Sequence, residues 1–139
     1  MNVHLLKLCV GIDSVDQLAE LQTARSARGE QLVHRTRHTP RRARLVLNGG
    51  SIYWVIKGFI RVRQRIVGIE RSTYPDGRPF CALAFDSDLV RTELQPRRPH
   101  QGWRYLDPRY APRDLEIADS DGDAPPLDMA AELRALGLI

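Results

Sequence analysis

The sequence predicts an α+β fold, in which a small and strongly bent β-barrel or sheet, mixed or antiparallel, is flanked by helices. Three observations favour this class: a short apolar segment at 3–10, a capped helical segment after it, and a run of alternating residues with tight turns at 51–85. The 139 residues have the length of one ordinary domain. We expect residues 1–113 to form a single barrel-like domain and residues 114–139 an acidic linker with a short C-terminal helix.

The first two predicted elements are a strand and a helix. Residues 3–10 (VHLLKLCV) are short and apolar and end at Gly11, which predicts a buried strand. Ser14 and Gln17 have the spacing of a capping box, in which each side chain satisfies a backbone N–H at a helix start. A helix is therefore predicted over 14–28, and Gly29 ends it.

The strongest strand signals lie between residues 51 and 85. Residues 52–56 (IYWVI) are β-branched and aromatic and follow an Asn-Gly-Gly turn. Arg61, Arg63 and Arg65 share one parity, and the apolar residues at 60, 62 and 66 share the other. On a regular strand the three guanidinium groups therefore line one side. The apolar phase then changes, which predicts a bulge near 64–67. A Tyr-Pro-Asp-Gly turn at 74–77 completes a hairpin over 60–85.

The remaining elements carry weaker signals. Residues 40–47 fit a short helix with a proline in its first turn. Residues 89–94 predict a short strand, and 102–106 fit either a strand or an exposed loop. Residues 107–126 are rich in Pro and Asp and predict a surface linker.

Charge is unevenly spread along the chain. The formal net charge is +4, but residues 34–113 carry 17 basic and six acidic side chains, a net charge of +11. Residues 114–139 have a net charge of −6. The basic residues are 19 Arg and two Lys, and a guanidinium binds phosphate in a bidentate manner and stacks on rings. An Arg-rich composition is also typical of GC-rich genomes, but the segregation of charge favours an anionic partner such as nucleic acid.

Several functional classes are excluded or disfavoured. No apolar stretch approaches the ~18 residues of a membrane span, and the N-terminus lacks the basic region of a signal peptide, so we expect a cytoplasmic protein without membrane contact. Cys9 and Cys81 are too few for a disulfide scaffold. Phosphate-binding loops, dinucleotide fingerprints and serine-hydrolase motifs are missing from the sequence. His34 and His38 lack the Glu of a zinc motif and have arginines beside them, so we predict no metal and no cofactor.

The predicted function is the binding of RNA or of a modified nucleic acid, without catalysis. Bases stack on exposed rings while arginines contact the backbone. Two alternatives remain open: a nuclease or RNA-modifying enzyme that uses His34 or His38 for acid–base chemistry, and a module that binds an acidic protein. The candidate nucleic-acid contacts come from three basic stretches and two rings, namely Arg41, Arg42, Arg44, Arg61, Arg63, Arg65, Arg97, Arg98, Trp103, Arg104 and Tyr105.

Two families share short motifs with this chain. The whole chain resembles a bacterial family described only as a domain of unknown function, through HLLKLCVG at 4–11, GGSIYWVIKG at 49–58, RQRIVGIE at 63–70 and QPRRPHQGWRYL at 95–106. Residues 40–79 resemble PUA-like domains of the EVE and ASCH groups, through 43–50, 51–57, 66–70 and the Tyr-Pro-Asp turn at 74–76. The second resemblance implies a small mixed barrel that binds RNA or a nucleobase. EVE domains open with an aromatic first strand, which residues 3–10 lack, so their base pocket is not carried over.

Overall fold

A computed structural model describes residues 1–115. The predicted C-terminal helix and most of the acidic linker lie outside these residues. The described part contains six strands, two α-helices and a short 3₁₀ turn at Pro108–Tyr110. The helices are α1 (Val15–Ala27) and α2 (Ala43–Leu47), and the strands are β1 (His4–Leu8), β2 (Val33–Thr36), β3 (Ser51–Ile56), β4 (Phe59–Thr73), β5 (Pro79–Pro96) and β6 (Trp103–Leu106).

All six strands form one mixed sheet in the order β2-β5-β4-β3-β1-β6. β1 and β3 are parallel, and the other neighbouring strands are antiparallel. This arrangement confirms the α+β class. β2 and β6 are the two edges, and within residues 1–115 no pairing joins them, so the sheet is open and the predicted barrel is not closed. A PUA-like architecture stays a prediction.

The sheet curves around α1. Lys7 on β1 and His34 on β2 line the same cavity, although three strands separate β1 from β2 in the sheet. The register between β4 and β5 shifts on both sides of Ile66, as the phase change at 64–67 predicted. A further shift lies between Ile60 and Val62. Because bulges bend a strand and increase its twist, these irregularities produce the curvature.

Two apolar clusters hold the fold together, one on each side of the sheet. On the concave side, Leu5, Ile52 and Trp54 are buried with residues of both helices. The outer side carries the smaller cluster of Leu6, Tyr53, Val55, Ile60 and Leu106. Helix α1 is fixed at its start by the predicted capping box: Ser14 Oγ accepts from Gln17 N at 3.1 Å, and Gln17 Oε1 accepts from Asp13 N at 2.8 Å.

Residues 107–115, which we call the strap, cross the outer side of the sheet. Ala111 packs against the outer apolar cluster. Beyond it, Glu93 N donates to Arg113 O at 2.8 Å and Leu115 N donates to Arg91 O at 2.9 Å, so the strap pairs with the free edge of β5. The sequence predicted a surface linker over 107–126. A proline-rich segment shows no alternation, and its order depends on the sheet that it covers.

Two other predictions differ from the structure. The short strand predicted at 89–94 is the second half of β5, which is continuous from Pro79 to Pro96. β2 was not predicted, because a four-residue edge strand with one Arg and one His gives too short an apolar pattern.

Candidate nucleic-acid interface

An open cleft lies where β2 ends and the chain turns toward α2. A cavity of about 440 Å³ separates this turn from Lys7 on β1 and Trp103 on β6. A second cavity of about 350 Å³ shares Arg35, Thr36 and Arg37 with the first. Among the described residues, no carboxylate lines either cavity. We call the two together the open cleft; its walls are Lys7, Arg35, Thr36, Arg37, His38, Tyr74, Arg78, Pro79, Phe80, Gln101, Gly102 and Trp103.

Aromatic rings position the cations of the open cleft. The Arg35 guanidinium carbon lies 4.8 Å from the centroid of the Phe80 ring and 5.6 Å from that of Tyr74. The Arg78 guanidinium lies 5.1 Å from the same Tyr74 ring, and its Nε donates to Asp76 Oδ2 at 2.7 Å. Arg35 is exposed and makes no ion pair in the described part of the chain. Its charge is therefore available to a ligand.

β6 closes the other end of the open cleft. Trp103 Nε1 donates to His38 O at 2.8 Å, and the Trp103 and Tyr105 rings meet edge to face with centroids 4.9 Å apart. The Tyr105 hydroxyl accepts from Arg42 N at 3.0 Å, and the Arg42 guanidinium lies 5.4 Å from the Tyr105 ring centroid. The structure thus brings Arg42, Trp103 and Tyr105 together. Arg41, on the same turn, is exposed, and so is Arg44 at the start of α2.

The arginines of β4 lie elsewhere. Ile60 belongs to the outer cluster and Val62 to the concave one, so the strand is irregular at Arg61 and the three arginines do not form one regular row. Arg61 Nε donates to Ile56 O at 2.8 Å. Arg63 and Arg65 pair with Tyr53 and Ser51 and therefore face the outer side, away from the open cleft. The predicted row is wrong because a bulge breaks the two-residue period.

Arg63 is bound within the protein. Its Nε donates to Asp114 Oδ1 at 2.6 Å, its Nη2 to Asp114 Oδ2 at 2.7 Å, and its Nη1 to Ser51 Oγ at 3.0 Å. The hydrogen bonds from Arg63 hold the pKa of Asp114 below its usual value, and the pKa of Arg63 is raised in turn. This bidentate pair attaches the strap to β4. The Asp114 carboxylate also neutralises the charge of Arg63.

The remaining predicted arginines do not line the open cleft. Arg97 is half-buried, and its Nε and Nη2 donate to Gln95 Oε1 at 3.1 and 2.8 Å. Arg98 is exposed in the loop before β6. Arg104 pairs with Leu6 of the outer cluster, so its side chain leaves β6 on the side opposite Trp103.

A smaller cavity, which we call the chamber, lies between α1 and the concave side of the sheet. Its volume is about 180 Å³, and Lys7 lines both the chamber and the open cleft. The His34 ring meets the Trp54 ring edge to face at 5.6 Å, and His34 Nε2 is buried without a hydrogen-bond partner among residues 1–115. The chamber walls are Lys7, Leu8, Cys9, Val10, Ile12, Leu18, Leu21, Gln22, Arg25, Leu32, Val33, His34, Trp54 and Phe85.

Burial sets the protonation states in the chamber. Desolvation, together with the charges of Lys7 and Arg25, lowers the pKa of His34 to about 4, so this imidazole is neutral at pH 7. Desolvation also lowers the pKa of Lys7 and raises that of the Cys9 thiol to about 11. Cys9 is therefore a protonated thiol and an unreactive one.

Neither a metal site nor a membrane helix is found in the described part of the chain. No three His, Cys, Asp or Glu side chains within residues 1–115 are grouped so that they could hold a metal ion. Neither α1 nor α2, the two described α-helices, is long and apolar enough to cross a bilayer.

The candidate contacts from the sequence omitted Lys7, Arg35 and Arg37, which line the open cleft. Arg35 and Arg37 belong to the basic block at 34–113, but without β2 nothing placed them opposite Lys7. The alternation of His34 and Thr36 with Arg35 and Arg37 is the signal that could have shown it.

Comparison with known proteins gives a family and nothing more specific. No curated protein and no solved structure matches the chain. One family model does, over residues 5–139, and this agrees with the first resemblance noted in the sequence. The protein is accordingly a member of the family described as "Protein of unknown function (DUF1489)".

Proposed function

We propose that this protein binds RNA or another nucleic acid through the open cleft, without catalysis. The observation that carries the proposal is a cleft in which Lys7, Arg35 and Arg37 face solvent-accessible space while no described wall residue is acidic. Cations without an internal carboxylate partner attract phosphate, and their binding releases counterions from the nucleic acid.

Rings at both ends of the open cleft support a single-stranded ligand. Trp103 is half-buried at one end, and Tyr74 and Phe80 lie at the other. Bases that are free of a duplex stack on such rings while the backbone follows the cations. A PUA-like relationship of the curved sheet would agree with this mode of binding and is part of the proposal.

The test is fluorescence anisotropy with labelled single-stranded RNA in about 50 mM salt. The double variant Arg35→Gln/Arg37→Gln removes two charges from the wall between the two cavities. We expect weaker binding and a log K against log salt slope that is smaller by about 1.4, because each lost phosphate contact on a single strand contributes about 0.7.

The matched control is Arg28→Gln/Arg113→Gln, which removes the same formal charge from exposed positions outside the open cleft. It should keep the wild-type salt slope. Equal losses in the two double variants would show that net charge, and not this cleft, attracts the ligand. If the wild type binds neither RNA nor DNA in about 50 mM salt, the proposed function is rejected.

A second candidate is cleavage or modification of RNA. The observation that favours it is that His38 lines the open cleft and His34 lines the adjoining chamber. With its pKa near 4, His34 is neutral at pH 7 and could only act as a base. Labelled RNA incubated with wild type and His38→Ala tests this role: product from the wild type alone supports it, and equal product from both rejects it.

The third alternative, binding of an acidic protein, uses the same cations. A partner recovered from a pull-down that survives nuclease treatment, and lost in Arg35→Gln/Arg37→Gln, would favour that alternative over nucleic acid.

A further inference from the structure

The chamber has the size of a single ring. Its volume is about 180 Å³, whereas pockets for drug-sized ligands usually hold roughly 300–1,000 Å³. An apolar cavity of about 150 Å³ is known to admit benzene. The chamber therefore matches a six-membered ring with one small substituent in size.

The walls of the chamber would hold a flat apolar body. Leu18 and Leu21 come from one side of α1, and Leu32 lies before β2. Trp54 and Phe85 complete the lining, with their ring planes 78° apart and centroids 5.8 Å apart. Aliphatic and aromatic walls of this kind gain free energy when they cover an aromatic ring.

The polar groups of the chamber are cations and donors without an anion. Lys7 and Arg25 line it, and neither forms an ion pair within residues 1–115. His34 also lines it, and its Nε2 is buried and makes no hydrogen bond in the described part. The Gln22 amide is already bonded to Gln64. A desolvated cation and an unsatisfied imidazole are unfavourable alone, and a carboxylate would satisfy both.

We propose that the chamber binds a small organic monocarboxylate whose body is a single flat ring, with its carboxylate toward Lys7 and His34. An inorganic anion would leave the apolar walls empty, and a neutral ring would leave the cations unpaired. The chamber shares Lys7 with the open cleft, but its proposed ligand does not depend on nucleic-acid binding.

The probe is benzoate, and Trp54 is the reporter. The chain has two tryptophans, so the Trp103→Phe variant leaves Trp54 as the single source of indole fluorescence. We expect a saturable change with a dissociation constant of about 1 mM or lower, the range open to a one-ring ligand. Benzamide, with the same shape and no charge, and acetate, with the charge and no ring, should each bind at least about tenfold more weakly.

The matched substitution pair is Lys7→Met and Lys57→Met, since the chain has two lysines and Lys57 lies exposed in the turn between β3 and β4. Methionine keeps the apolar stem and removes the charge. We expect Lys7→Met to weaken benzoate binding about tenfold and Lys57→Met to leave it unchanged. Equal affinities for benzoate and benzamide, or no saturable change at all, would overturn the proposal.

If Lys7→Met fails to fold, the pH dependence of benzoate binding to the Trp103→Phe variant still tests the proposal. The charged and titratable groups that line the chamber with His34 are Lys7 on β1, Cys9 just after β1, and Arg25 on α1. A bound carboxylate raises the pKa of His34, so benzoate should bind more tightly as the pH falls from about 8 to 5.5. Benzamide should show no such trend. A benzoate affinity that is independent of pH would contradict the place given to His34.

Discussion

β4 and β2 belong to the same sheet, but they differ in whether their polar side chains find hydrogen-bond or ion-pair partners within the protein. On β4, Gln64 is fully buried and Arg63 is held by two bonds to Asp114. On β2, His34 Nε2 has no hydrogen-bond partner in the described chain, and Arg35 touches rings but no carboxylate. The first arrangement stabilises the fold, whereas the second leaves binding capacity for a ligand.

Charge in the sequence is therefore not the same as charge available at the surface. Arg63 was the centre of the predicted arginine row, and the strap neutralises it with Asp114. Arg35 was not among the predicted contacts, and it lines a cleft whose described walls carry no acid. The position of carboxylates, which are remote in sequence, decides between these outcomes.

The largest expected effect is on stability, from Gln64→Leu. The Gln64 side chain bonds to Gln22 at 2.8 and 3.0 Å, to Asp86 O at 2.8 Å and to Trp54 Nε1 at 3.3 Å. Leucine leaves these buried groups unpaired, so we expect a loss of about 3 kcal/mol in the free energy of unfolding. Urea denaturation measures it, with the exposed neighbour Arg65→Gln as control. A loss below about 1 kcal/mol would contradict the assigned network.

A smaller loss is expected when the strap is detached. Asp114→Ala should cost about 1–2 kcal/mol at pH 7, because the pair is bidentate but partly exposed. A double-mutant cycle with Arg63→Ala gives the coupling energy. Since the pKa of Asp114 is lowered, this contribution is present above about pH 4 and is lost as the pH falls further. A coupling energy near zero at pH 7 would show that the pair does not hold the strap.

His34 on β2 should also make the stability of the protein depend on pH, over a higher pH range than Asp114 does. Its pKa falls from 6.5 to about 4 on folding, so the unfolded chain binds the proton more tightly. Stability should therefore be full above pH 6.5 and decline as the pH falls toward 4, by about 1–2 kcal/mol after allowance for solvent screening. Thermal unfolding measured across this pH range should show that Tm declines less steeply for His34→Phe than for the wild type. His4 and His100, whose pKa values burial also lowers, account for a residual slope.

The smallest effect on stability is expected at Arg35. Arg35→Gln removes an exposed cation from the Phe80 and Tyr74 rings and breaks no ion pair, so the free energy of unfolding should change by less than about 1 kcal/mol. Arg63→Gln, the matched change on β4, should cost more. If the order were reversed, the contrast between the two strands would fail.

Local sequence signals predicted the elements whose structure is fixed locally. The capping box at Ser14 and Gln17, the turn at 74–77 and the bulge near Ile66 all appear as expected. β2 and the strap were not predicted. Both are short, and both become ordered by hydrogen bonds to β5.

The residues of the candidate site divide in the same way, into those that a local sequence pattern predicted and those that it did not. Trp103 and Tyr105 were selected because they flank an arginine in a basic stretch. Tyr105 does contact Arg42 across the fold, and the Trp103 ring packs against Tyr105. Lys7 was not selected, because a lone lysine in an apolar strand has no local pattern that places it in a cleft.

Propensity, capping and turn chemistry act over a few residues, so the sequence alone was enough to predict the α+β class, the order of the main elements and the basic character of residues 34–113. Which cations are paired and which face open space depends on the folded chain. Arg63 bonds to Asp114, which is 51 residues away in the sequence. The curvature of the sheet places Lys7 opposite the end of β2, across the open cleft. Contacts of that separation follow from strand order and register, and no local pattern encodes them.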